Sequence, residues 1–181
     1  MVVVVIIGIL AAIAAPQITE RLRERRSAQA AQEIAILFRN ARMLAMGQGF
    51  AVLVHYTSTT GFEVRQAVPA GGTGTCTLLL PASCANTVWT SSAAYRTVTQ
   101  FDPTQRSEYE GVTDSVTAPG GSSATFYEMC FTPRGRTFSR TAAGAPLTPL
   151  TGVAGVAVSR GGTSLTRNVL LLPNGMARLA L

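Results

Sequence analysis

The chain has no lysine, so all 15 of its basic side chains are arginine, and charged residues of both signs make up only 13% of its 181 positions. It also has one histidine and three cysteines, none of them in Cys-x-x-Cys spacing. Each shortage excludes a class of chemistry. The glycine run Gly71-Gly72-Thr73-Gly74-Thr75 has no lysine behind it and opens no helix, so it is not a phosphate-binding loop. One histidine and no closely paired cysteines leave no ligand set for structural zinc. His55 has no acidic or nucleophilic neighbour in sequence and reads as structural rather than as a base. Glu108 and Glu110 fall in the polar turn Gln105-Arg-Ser-Glu-Tyr-Glu-Gly111, explained as an acidic surface loop. No catalytic, cofactor-binding or metal-binding residue is assigned, and no small-molecule substrate is indicated. The chain does not read as an enzyme.

Low charge combined with 47% hydrophobic content excludes disorder and allows one core of respectable size. The apolar residues are concentrated at the start. Val2, Val3, Val4, Val5, Ile6, Ile7, Gly8, Ile9, Leu10, Ala11, Ala12 and Ile13 run on to Pro16 without a charged or polar side chain. Such a segment requires lipid or a tight bundle. In lipid a lone segment must be helical, because only a helix satisfies its own backbone groups. As a helix, Met1 to Ala15 reaches about 22 Å, short of the ~30 Å hydrocarbon layer. A secretory signal peptide has an apolar region of similar length, but no basic leader precedes this one and Pro16-Gln17-Ile18 is a poor cleavage site.

Beyond Pro16, where a continuous helix is expected to kink, Ile18, Leu22, Ile34, Leu37, Phe38, Ala41, Leu44 and Ala45 recur at three- and four-residue spacing. Gly47 and Gly49 punctuate the end. Three parts follow: an apolar membrane or filament-core half-helix over 1–16, an amphipathic half over 17–49, and a β-rich globular part over 50–181. The expected fold class is α+β, a long N-terminal helix packed on an antiparallel β-sheet domain. Hairpins are predicted from Ala51–Tyr56 with Gly61–Val68, and from Thr125–Phe131 with Thr137–Arg140. The Asn174-Gly175 pair between apolar runs predicts another, since both residues tolerate positive φ. The stretch at about 69–121, rich in Gly, Thr, Ser and Ala, reads as a loop-rich insertion with short strands around Trp89 and Tyr95. Cys76 and Cys84 bracket a short loop and are the candidate disulfide in an oxidising compartment. Cys130 is then left as a buried apolar side chain, with pairing to one of the other two as the alternative.

The opening run, Met1-Val-Val-Val-Val-Ile-Ile-Gly-Ile-Leu-Ala-Ala-Ile-Ala-Ala-Pro16, resembles the N-terminal helix of type IV pilins and type II secretion pseudopilins. In that family a leader-peptidase site and a Phe-Thr-Leu-Ile-Glu-Leu segment come directly before the equivalent of Met1. Their presence upstream would lengthen the apolar run to about 21 residues, which suits one span. Phe38-Arg39-Asn40-Ala41-Arg42-Met43-Leu44-Ala45, the following Val-rich stretch, and Phe131-Thr132-Pro133-Arg134-Gly135 resemble the GspH/FimT group.

The resemblance implies a minor pilin that initiates assembly or forms the tip complex of a type IV pilus. Its partners would be other major and minor pilins or pseudopilins. It would be held in the bacterial inner membrane with a periplasmic domain, then extracted into the pilus or pseudopilus. An H-type pseudopilin of a type II secretion system is the alternative. A DNA-binding pilin is the second alternative: some FimT-like proteins carry a Gly-Arg-x-Arg motif, of which Gly175-Met-Ala-Arg178 keeps the glycine and the last arginine. Arg134, Arg136 and Arg178 are the corresponding candidates for DNA contacts, because guanidinium groups fork onto phosphate oxygens. Against this, an arginine-rich surface also serves solubility and contacts with acidic neighbouring subunits.

Overall fold

The computed structural model describes the backbone of residues 2–69, 83–85, 87–161 and 165–180, with side chains from residue 24 onward. Helix α1 runs unbroken over Val2–Gln48, 47 residues or about 70 Å, and so passes through Pro16. The side chains of Val2 to Ile13 and of Pro16 lie outside the described residues. Among the described residues no helix is long and apolar enough to cross a membrane.

From Ala30 onward α1 builds the core. Ala30, Ala31, Ile34, Phe38, Ala41 and Ala45 fall at three- to four-residue spacing and are all buried. Four of these six are alanine, which lets the helix backbone approach the sheets closely, and Phe38 fills the space between, edge-on to Phe62 at 6.0 Å. The helix stops after Gln48 because Gly49, at φ +75°, takes the left-handed conformation and donates its N–H back to the Ala45 carbonyl.

Two antiparallel sheets follow. Strands β1 (Val52–Thr57), β2 (Gly61–Ala67), β3 (Tyr95–Phe101), β6 (Phe126–Phe131), β7 (Thr137–Arg140) and β8 (Thr148–Pro149) form one, in the order β3-β2-β1-β6-β7-β8. Strands β4 (Val112–Thr117), β5 (Ser123–Ala124), β9 (Ala154–Arg160), β10 (Thr166–Leu171) and β11 (Ala177–Ala180) form the second, in the order β11-β10-β9-β4-β5. The three expected hairpins are present as β1–β2, β6–β7 and β10–β11. The stretch read as a loop-rich insertion is more structural than its composition suggests. Its Thr-rich part supplies β3, an edge of the first sheet, and β4, an inner strand of the second. Trp89 lies in a turn rather than a strand.

The pleat gives the first sheet two apolar faces. Val52, Val54, Tyr56, Phe62 and Phe131 face α1, whereas Leu53 and Cys130 face away and pack with Ala51, Ala67, Cys84 and Trp89. This second cluster corrects the expected disulfide. Cys84 is bonded to Cys130, not to Cys76, which lies outside the described residues. Cys130 is therefore a bonded half-cystine rather than a free buried thiol. The register explains the pairing: Cys130 sits opposite Leu53 on the outward face, under the segment that carries Cys84 and Trp89. The Trp89 indole N–H fixes that segment by donating to the Cys84 carbonyl at 3.0 Å.

Every sheet edge is blunted. The β2–β3 register slips at Val64/Arg65, β8 ends in proline, β5 has two residues, and the outward carbonyl of Ala177 in β11 accepts from Arg39 Nε at 3.0 Å. Irregular, short or covered edges oppose addition of a foreign strand.

Candidate functional site

Where α1 ends, two turns from different sheets close around it. The Thr132–Arg136 turn between β6 and β7 brings Gly135 so near that a Cβ there would lie 3.9 Å from Arg42 Nη2 and 3.8 Å from Met46 Sδ. On the other side, the β10–β11 turn puts Gly175 against Arg42 as well. At φ +76°, a Cβ on Gly175 would meet Thr137 Oγ1 at 2.8 Å and Arg42 Cδ at 3.2 Å. Only glycine suits that position, so the Asn-Gly pair that marks the hairpin also lets it dock on the helix.

The result is an arginine-rich pole. Arg39 and Arg42 from α1, with Met43, Gly175, Met176 and Ala177, line a cavity of about 270 Å³. Arg134 and Arg136 line a second, of about 370 Å³, with Gly49, Ser83, Thr132, Pro133 and Phe138. None of these four arginines forms an ion pair among the described residues. Arg42 Nε is buried there without a hydrogen-bond partner. Met43 and Met176 stand 58% and 38% exposed beside the guanidinium groups.

The structure brings Arg134 and Arg136 to this pole but separates them from Arg178. Ala177 faces the core, so pleating turns Arg178, opposite Leu170, onto the outer face of the second sheet. Arg39 and Arg42 take its place. The sequence reading missed both, because in a helical pattern they look like ordinary solvent-side charges.

Elsewhere Arg65 and Arg140 are neutralised locally by carboxylates. His55, Glu128 and Arg140 are cross-strand neighbours on β1, β6 and β7. His55 Nδ1 lies 2.8 Å from Glu128 Oε1, and Arg140 Nε donates to Glu128 Oε2. Burial opposes ionisation of Glu128, yet hydrogen bonds from His55 and Arg140 outweigh it and hold the carboxyl below the usual range. Glu63 shows the same balance: burial raises it, and hydrogen bonds from Arg65 and Thr97 bring it below the ordinary value. His55 is thus engaged in a nearly buried cross-strand ladder, its ring nitrogen on the Glu128 carboxylate.

On the opposite flank of α1 the surface is acidic. Tyr109 O–H donates to Glu33 Oε1 at 2.5 Å, and burial followed by that hydrogen bond pushes the phenol up to about 12. Exposed Glu108 and Glu110 flank it, and Arg106 reaches Glu33 at 3.5 Å. A groove of about 250 Å³ adjoins, with Ile36, Leu37, Asn40, Gln100 and Phe101 in its walls. No group of three or more potential metal ligands occurs among the described residues.

No family model matches the sequence, and no curated protein matches it. Two solved structures do, both of the Pseudomonas aeruginosa type IV minor pilin FimU. In space group P21 the match has a TM-score of 0.51 and 15% identity, over 91% of this chain and 92% of the other. In P65 the TM-score is 0.45 at 16% identity, over 85% and 92%. A long N-terminal helix laid across antiparallel sheets, matched over nine-tenths of both chains, gives this protein a type IV pilin-like α+β fold.

Proposed function

We propose that the protein is a minor pilin, a structural subunit that initiates or tips a type IV pilus, and that it catalyses nothing. The carrying observation is α1. One helix both buries its alanine-rich face in the domain from Ala30 onward and continues unbroken to the wholly apolar sequence of Val2–Ile13. A helix of this design couples a folded domain to a lipid or helix-bundle environment. Small residues such as Gly8, Ala11 and Ala12 allow close packing of neighbouring helices there. In this reading the protein waits in the inner membrane and passes into a filament with other pilins, its apolar helix moving from lipid to the filament axis. The Cys84–Cys130 bond fits a domain that folds in an oxidising compartment.

Deleting the gene in its host and counting surface filaments tests this. Loss of filaments, restored by the wild-type gene and not by one with Ile6→Asp and Ile9→Asp, is the expected outcome. Normal filaments with failed export of secreted enzymes would instead favour the H-type pseudopilin. No change in either would overturn both.

A further inference from the structure

The largely buried arginines Arg65 and Arg140 each meet a carboxylate, Glu63 and Glu128. Arg42 meets none. It lines the cavity of about 270 Å³ at the end of α1, clasped between the Gly135 and Gly175 turns, and its buried Nε lacks a hydrogen-bond partner. Arg39, three residues before it and so a neighbour on the helix surface, lines the same cavity and is anchored by its Nε bond to the Ala177 carbonyl. Neither forms an ion pair among the described residues. Like charges on adjacent helical turns repel, and burial of a donor without an acceptor adds to that cost. An anion in the cavity would offset the charge.

The other walls indicate which anion. Met43, Gly175, Met176 and Ala177 present alkyl, thioether and backbone surface, with no further charged or hydroxyl side chain among the described residues. A mainly apolar cavity with a few convergent polar groups is the usual design of a small-molecule site, and this volume falls at the small end of the range. Phosphate has no apolar part to set against the methionines. A carboxylate on a short alkyl chain uses both features: its two oxygens match the planar guanidinium fork, and its chain lies along flexible, polarisable side chains that mould to irregular shapes.

The geometry points to this cavity as a binding site for small aliphatic monocarboxylates of about four to six carbons, with Arg39 and Arg42 on the carboxylate and Met43 and Met176 along the chain. It sits near the opposite end of α1 from the apolar Val2–Ile13 run, so it stays clear of lipid when that run is buried. The site does not depend on the subunit reading above.

The test uses the full chain in detergent micelles, with its methionine methyl groups labelled with carbon-13 and followed by NMR during titration with sodium butyrate at constant ionic strength. The Met43 and Met176 signals, assigned through Met43→Leu and Met176→Leu, should move along a saturating curve with a Kd on the order of 1 mM, in keeping with a ligand of about six non-hydrogen atoms. The signal of Met129, buried in the core, should stay still. Inorganic phosphate carries the charge without the chain and 1-butanol the chain without the charge, so each should bind at least tenfold more weakly. Arg42→Gln should weaken butyrate at least tenfold. Because Arg42 also packs against two turns, Met43→Glu is the second variant: the position is exposed, and the new carboxylate competes for the guanidinium groups, so the Met176 response should vanish while the circular dichroism spectrum is unchanged. Arg25→Gln, at an exposed position far back on α1, should change nothing. No saturable response to butyrate, an equal response to phosphate or 1-butanol, or binding undiminished in Met43→Glu overturns the inference. Retardation of a duplex DNA probe without a butyrate response overturns it in favour of nucleic acid.

Discussion

Replacing Cys84 and Cys130 together by alanine removes a cross-link that closes 46 residues of chain. In the chain-entropy picture, freeing a loop of that length in the unfolded state is worth about 4 kcal/mol at 25 °C. The native state loses little by comparison. Both side chains are at most 2% exposed among Ala51, Leu53, Ala67 and Trp89, and alanine leaves only a sulfur-sized gap. For a domain of this size the loss corresponds to a melting temperature lower by roughly 10–15 °C. The assay is thermal unfolding of the full chain in micelles, for wild type with and without a thiol reductant and for the double variant. Reduced wild type and the variant should melt together, well below oxidised wild type. Trp89 is the only tryptophan and bonds to the Cys84 carbonyl, so its emission should shift to the red on reduction. Equal melting of oxidised and reduced protein, or a Cys76–Cys84 peptide in a non-reducing digest, would refute the reasoning.

Three further perturbations probe the packing around the site. Gly175→Ala meets both a positive φ and a 2.8 Å approach to Thr137 Oγ1, so it should cost roughly 2–5 kcal/mol; Gly144→Ala, with φ +77° but open space, should cost only about 1–2 kcal/mol by the same denaturant titration. Glu128→Gln strands Arg140 in a site where it is 10% exposed and should destabilise by about 3–5 kcal/mol at pH 7. Because the folded carboxyl of Glu128 lies below its ordinary value, its contribution is present above the unfolded value of ~4.3 and vanishes as pH falls through the lower folded one. The acid limb of a stability–pH curve should therefore be flatter in Glu128→Gln. Tyr109→Phe removes the donor to Glu33 and should cost about 1.5–3 kcal/mol; in wild type the ultraviolet phenolate signal of this tyrosine should emerge only near pH 12.

Much of this architecture can be read directly from local patterns. The three- and four-residue spacing of Ile34, Leu37, Phe38, Ala41 and Ala45 gave the buried face of α1, and Asn174-Gly175 gave the last hairpin, because both signals act within a few residues. The disulfide could not be read that way. Cys76 and Cys84 are close in sequence, but what selects the partner of Cys84 is the register that turns Cys130 outward beside Leu53, a fact of the assembled sheet. Strand β4, and the run of β3 beyond the short strand expected around Tyr95, were hidden for a related reason. Tyr95–Phe101 is exposed at five of its seven positions and carries little apolar alternation, so its pairing with β2 decides its conformation. The arginine pole was half legible. Arg134 and Arg136 stood out in a turn, but only tertiary packing brings them to Arg39 and Arg42 and sends Arg178 to another face.

The central claim is that α1 packs against other subunits of a filament. Single cysteines placed along the exposed face of α1, at Gln29, Ile36 and Met43, paired with cysteines on the helices of candidate pilins, test it in assembling cells. Disulfide-linked heterodimers should appear when the assembly machinery is active and disappear in its absence. Absence of crosslinks at every one of these positions, with the protein present at normal levels, would contradict it.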